Sequence, residues 1–164
     1  MMTSSMPSWT QEDIYLVAEC AYAIHLQGFS KEAATIFDAL VEIDPGNAYC
    51  RDALSALCLV LGNPEETIRH ASVLLEQAPD HADALARRCE AYLKLNQVDA
   101  ARRDLEVLNR TNAAAHRRRM KLRFEAATRR LNSDGDGHSL ALDAPRTVNL
   151  MATPEVSNDS SPEA

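Results

Sequence analysis

The side chains best suited to chemistry in this 164-residue chain are four cysteines, five histidines and a run of arginines. Thiolate and imidazole together make a nucleophile–base pair or a zinc site, and both need particular spacings. Cys20, Cys50, Cys58 and Cys89 show no two- to four-residue metal spacing. His25, His70, His81, His116 and His138 are scattered, and none stands beside a nucleophile. Gly135 and Gly137 lie in an Asp-Gly-Asp-Gly stretch, not between a strand and a helix, so they form no phosphate loop. The chain is expected to be no enzyme and to hold no metal or cofactor. Three of the cysteines fall at inward helix positions, where free Cys behaves as a small apolar residue, which points to reduced thiols.

The arginines offer a different chemistry. His116-Arg117-Arg118-Arg119, followed by Lys121, Arg123, Arg129 and Arg130, would suit phosphate or an anionic membrane. Residues 113–131 carry 7 basic and 1 acidic side chains, a balance of +6. Residues 1–112 carry 9 basic against 17 acidic (−8), and 132–164 carry 1 against 6 (−5), for a net charge of −7. An acidic body repels phosphate, and only Phe124 interleaves with the cations, so nucleic acid is disfavoured as a partner. Arg117, Arg118 and Arg119 are the residues that would make an anionic contact. The first nine residues have no basic region or apolar core, and no apolar run approaches the ~20 residues of a membrane span. A soluble, cytoplasmic protein is expected.

The elements that position these residues follow a period of 34. Gly28 and Gly62 share it, as do Pro45 and Pro79, and Leu40, Leu74 and Leu108 mark it three times. Ala33, Thr67 and Ala101 repeat it again, as do Phe37, Ala71 and Leu105. A fixed period of this size marks stacked supersecondary units. Abundant Ala, Leu, Glu and Arg with few Gly or aromatics point to helix. Thr10 with Asp13 has capping-box spacing, and Ile14, Val17, Ala21 and Ile24 form one apolar face of the first helix. Gly28 ends it, Ser30 is expected to cap the second helix, and Asp44-Pro45 closes the pair. The cycle recurs, giving helix pairs over 14–47, 48–81 and 82–112, with Asn96 replacing the turn glycine in the third. A last helix over 113–131 carries Met120, Phe124, Ala127 and Leu131 on one stripe, the form of a terminal cap. Residues 1–9 read as a flexible leader. Residues 132–164 are too polar to offset ordering entropy and are expected to be disordered.

These residues look like the tetratricopeptide repeat. With Ile14, Ala48 and Ala82 as first positions, small residues Ala21, Ser55 and Cys89 fall at position 8, and Ala33, Thr67 and Ala101 at position 20. Gly28, Gly62 and Asn96 take the turn, and Pro45 and Pro79 take position 32. The pattern lacks a Trp at position 4 and a proline after the third repeat, and its second repeat is the weakest, with Arg51, Thr67 and Ala71 at usually apolar or larger positions. The resemblance implies an all-α, right-handed superhelix of three helix pairs plus a capping helix. More narrowly, Ala21-Tyr22, Gly28, Glu32-Ala33, Ile36-Phe37 and Ala39-Leu40 look like the small chaperones of bacterial type III secretion, which keep translocator proteins soluble before export.

The resemblance further implies that positions 2, 5, 9, 12 and 13 of each repeat line a concave groove. They are Tyr15, Ala18, Tyr22, His25 and Leu26; then Tyr49, Asp52, Ala56, Leu59 and Val60; then Asp83, Ala86, Glu90, Leu93 and Lys94. The groove is therefore aromatic and aliphatic at its N-terminal end and mixed charged at its C-terminal end. Such a lining suits an extended or helical segment of a client protein, with Tyr15, Tyr22, His25, Tyr49, Leu59 and Leu93 as anchors. It does not suit the acidic tails of heat-shock chaperones, whose repeats use a basic and amide clamp where this chain has Ala18 and Tyr22. The competing expectation is a scaffold, or a homodimer, built without a dedicated groove.

Overall fold

A computed structural model describes residues 8–139. Over that span it holds seven helices: α1 Gln11–Leu26, α2 Ser30–Ile43, α3 Ala48–Val60, α4 Pro64–Gln77, α5 Ala82–Lys94, α6 Val98–Arg110 and α7 Ala114–Ser139. The first six pair as three hairpins and the seventh follows them, so the all-helical repeat architecture is the one observed.

The local turns trace to particular residues. The Asp13 amide donates to Thr10 Oγ1, and the Thr10 amide donates to the Asp13 carboxylate, a reciprocal cap on α1. Gly28 and Gly62 close the first two hairpins at φ 95° and 80°, and Asn96 closes the third at φ 57°. That left-handed region favours glycine, and Asn is among the few other residues that tolerate it. One cap departs from expectation. Phe29 is the N-cap of α2, and Ser30 is already its first helical residue. The Ser30 hydroxyl instead lies 2.9 Å from His25 Nδ1, tying α2 back to α1.

The helices form two layers. α3 packs on α5 and α5 on α7, while each even-numbered helix packs between the odd-numbered helices that flank it. The odd-numbered helices are thus the inner layer. The small residues at corresponding positions of each hairpin, Ala21 and Ala33, Ser55 and Thr67, Cys89 and Ala101, are all fully buried, as close helix approach requires. The Cys89 thiol comes within 3.4 Å of the Ala101 carbonyl.

Two apolar cores result. Ile14, Phe37, Leu40 and Leu54 centre the first, and Leu74, Leu85, Leu108 and Met120 centre the second. Between them, at the α3–α4 contact, lies a buried polar layer of Arg51, Ser55, Thr67 and His70. Its members are largely satisfied by nearby backbone. Arg51 donates to the Pro45 carbonyl at 2.8 Å, Ser55 to the Asp52 carbonyl at 2.9 Å, and Thr67 to the Asn63 carbonyl at 3.0 Å. Local acceptors explain why the second repeat tolerates polar residues where apolar ones are usual. His70 is the exception. A guanidinium can only donate, so His70 Nε2, 3.0 Å from Arg69, accepts. The ring proton then sits on Nδ1, which has no partner. Arg88 and Asp104 form a second buried polar contact, 2.6 Å apart, linking α5 to α6.

At the C-terminal end Met120 is buried, Phe124 is half-buried, and Arg102 lies 5.5 Å over the Phe124 ring. Leu131, expected on the same stripe, is exposed. α7 also continues beyond its expected end at residue 131, so residues 132–139 are helical where disorder was expected. Once nucleated, a helix gains a hydrogen bond for each residue added, which carries it through weak formers. Gly135 and Gly137 each cost about 1 kcal/mol there, making these last turns the weakest of α7. The rest of the expected leader and tail, residues 1–7 and 140–164, lies outside the described residues.

Candidate functional site

The expected anchors separate into distinct groups. Tyr15 and Tyr49 meet across α1 and α3 with ring centroids 6.0 Å apart, and Tyr49 sets an edge against Phe37 at 6.4 Å. The Tyr49 hydroxyl reaches toward Glu19 at 3.5 Å, and burial, then Glu19, raises its pKa above the ordinary tyrosine value. Further along α1, Tyr22 and His25 lie 6.2 Å apart and form one wall of a cleft. Ala56 and Val60 of α3 form the facing wall, with Phe37 and Leu57 below; the cavity measures about 100 Å³. Its rim is open, with Tyr22 48% and Val60 66% exposed. His25 is held in place by Ser30, so the wall it supplies is a fixed one.

The groove reading needs correcting at position 5. Ala18 and Ala86, expected to line it, are buried. The inner helices approach closely enough there to cover a methyl group. Asp52 at the same position remains partly open and is grasped at two points by Arg87 of α5. That ion pair bridges the seam between α3 and α5. Leu59 is half-buried and lines neither of the clefts at the ends of the inner layer.

Leu93 belongs to the other end. It lines a cleft of about 450 Å³ between α5 and α7, with Glu90, Lys94, Arg123 and Arg130. Glu90 is ion-paired with Arg123, and Asp83 lies 2.9 Å from His116 Nε2, so the acidic groove positions of the third repeat meet side chains of α7. The arginine run is likewise partly engaged. Arg117 donates to the Thr111 carbonyl at the end of α6, whereas Arg118 and Arg119 are exposed.

Tyr22, His25, Ala56 and Val60, expected along the groove, line one cleft, together with Phe37, Ala53 and Leu57, which were not expected there. Phe37 belongs to the repeat's periodic apolar positions, and a core side chain can show one edge to a cleft. The thiols are poor nucleophiles: burial pushes Cys58 up to about 11 and Cys89 up to about 12. Cys50 is also buried, and Cys20 is exposed. No helix among the described residues is long and apolar enough to cross a membrane.

Residues 59–121 match the family model described as tetratricopeptide repeat. Among solved structures, PcrH from Pseudomonas aeruginosa is 19% identical with a TM-score of 0.66, covering 76% of this chain and 98% of that one. PcrH in complex with the chaperone binding region of PopD is 20% identical, with a TM-score of 0.67 and coverage of 77% and 98%. The first such domain of Spaghetti (RPAP3), bound to HSP90 peptide SRMEEVD, is 15% identical, with a TM-score of 0.64 and coverage of 75% and 99%. No curated protein sequence matches the chain.

Proposed function

From the premise that this chain has the tetratricopeptide-repeat fold and matches that family over residues 59–121, we propose that it binds a segment of a client protein along its inner layer. The observation that carries this reading is the open apolar cleft of Tyr22, His25, Ala56 and Val60, beside the Tyr15–Tyr49 pair. A client side chain entering it would bury apolar surface at ~25 cal/mol per Å². The partners seen on similar folds, the PopD segment on PcrH and the HSP90 peptide on RPAP3, are consistent with a peptide-binding inner surface. The sharpest form of the proposal is a small, non-enzymatic cytoplasmic chaperone of a type III secretion system, shielding an export client until hand-off.

The test compares wild type with the Tyr22→Glu/Tyr49→Glu double variant by affinity capture from the native cell. Loss of one abundant partner, with helicity and melting unchanged, is the expected result. The same partners on both proteins would remove the cleft as the binding site. A secreted partner would support the export form; a resident one would remove it.

A second reading, a scaffold or homodimer, is favoured by the N-terminal end of the stack. Trp9 and Leu16 are exposed there and line a cleft of about 310 Å³ with Val17 and Asp13. Light scattering across concentration, on wild type and Leu16→Glu, separates it from the first reading: a mass that doubles only in wild type supports assembly.

A further inference from the structure

The two end clefts of the inner layer occupy corresponding places in the repeat. Tyr22 and His25 stand at the same repeat positions as Glu90 and Leu93, two repeats on. The α1–α3 cleft, at about 100 Å³, is well below the ~300 Å³ of a small-molecule site and has room for one side chain. The α5–α7 cleft is wider, and its chemistry is different. Glu90 and Arg123 neutralise each other, which leaves Lys94 and Arg130 as its net charge. Neither pairs with an acid among residues 8–133, whose side chains the structure describes. The floor of Leu93, Ala126 and Ala127 is apolar. At the lip stands Asn96, in a positive-φ turn where the other repeats have glycine, and its amide adds a donor and an acceptor. Between the two clefts, the Asp52–Arg87 pair bridges the middle seam.

We infer that the client segment is bipartite, with one aliphatic anchor in the α1–α3 cleft and an acidic side chain held by Lys94 and Arg130 in the α5–α7 cleft. The inference rests on the proposed inner-layer binding and adds the client's chemistry. Charge complementarity selects the carboxylate: two cations with no acid partner among residues 8–133, above an apolar floor, favour an anion carried on a chain that also brings apolar contact. The spacing follows from packing. Two successive helix spacings of ~8–10 Å separate the clefts by roughly 16–20 Å. An extended chain rising ~3.3 Å per residue covers that in about five or six residues, whereas a helix needs about twelve.

Fluorescence anisotropy on the full chain tests this with labelled 16-residue synthetic peptides. Each carries one leucine and, six residues away in either chain direction, a Glu-Glu, Gln-Gln or Lys-Lys pair in a Ser/Gly background. The expected order is Glu-Glu over Gln-Gln over Lys-Lys, with roughly fivefold per step at low salt, shrinking as salt rises. Lys94→Glu with Arg130→Glu should invert that order while leaving the Gln-Gln affinity and the melting temperature unchanged. Equal affinities for the three peptides on wild type, with binding still lost in Tyr22→Glu, overturn the acidic half and leave the apolar cleft standing. A Glu-Glu preference that survives the double reversal moves the carboxylate elsewhere and overturns the assignment to Lys94 and Arg130. Failure of every leucine peptide to bind, or binding indifferent to Tyr22→Glu, overturns both readings together.

Discussion

The two ends of the inner layer share a framework and differ in chemistry. At the α1–α3 seam an apolar cleft is walled by Tyr22 and Val60; at the α5–α7 seam the corresponding cleft is walled by Glu90, Lys94 and Arg130. Behind each, small residues at the same repeat positions are fully buried, Ala21 and Ala33 at one end and Cys89 and Ala101 at the other. Helix approach is set by these small buried residues, so the outward positions are free to vary. What the molecule teaches is that one repeat register can carry two chemically different clefts, because the small residues that set helix approach leave most cleft-lining positions free to vary.

The comparison breaks most readily at its framework. Leu40→Ala in the first core and Leu108→Ala in the second should each destabilise by about 2–5 kcal/mol, read by urea unfolding followed by circular dichroism. Similar losses would sharpen the contrast by showing that the ends differ at the surface alone. A near-neutral result at either site would mean that the shared register is wrong there.

A smaller effect is expected midway, at His70. Burial first, then the nearby Arg69 and Arg51 charges, holds its imidazole below the usual histidine range. The unfolded chain therefore binds the proton more readily than the folded one, and stability falls as pH drops below about 6.5. This contribution is complete above that value and is lost toward the lowered folded pKa, at no more than about 1.4 kcal/mol per pH unit. His70→Leu should flatten that part of the melting profile between pH 7 and 5 and leave stability at pH 8 nearly unchanged. A profile as steep as wild type would show that other groups carry the pH dependence.

The smallest change is expected at the charged end. Glu90→Gln removes the acid that pairs with Arg123, a pair partly open to water, and should cost less than about 1 kcal/mol. Thermal melting at low and high salt measures it. A larger, salt-sensitive loss would mean that α7 is held by charge and not by Met120.

The repeat was legible because backbone demands recur. Gly28, Gly62 and Asn96 answer the same positive-φ turn, and Ala33, Thr67 and Ala101 the same close approach. Such demands depend on a residue's own size and dihedrals, which sequence displays directly. The candidate surface was only partly legible. Tyr22, His25, Ala56 and Val60 line one cleft, but Ala18 and Ala86, expected in the same groove, do not reach the surface, because how deeply a seam closes depends on both helices at once. Ser30 was misread as a cap for a related reason: its partner, His25, belongs to the preceding helix. The end of α7 escaped because composition reports what a segment can bury and not whether an existing helix runs into it.

The buried polar layer of Arg51, Ser55, Thr67 and His70 has a consequence for how the molecule assembles. It lies inside one hairpin with a separate apolar core on either side, so the stack is two apolar blocks joined at α3–α4. Either block offers a nucleus on which the chain can begin to assemble.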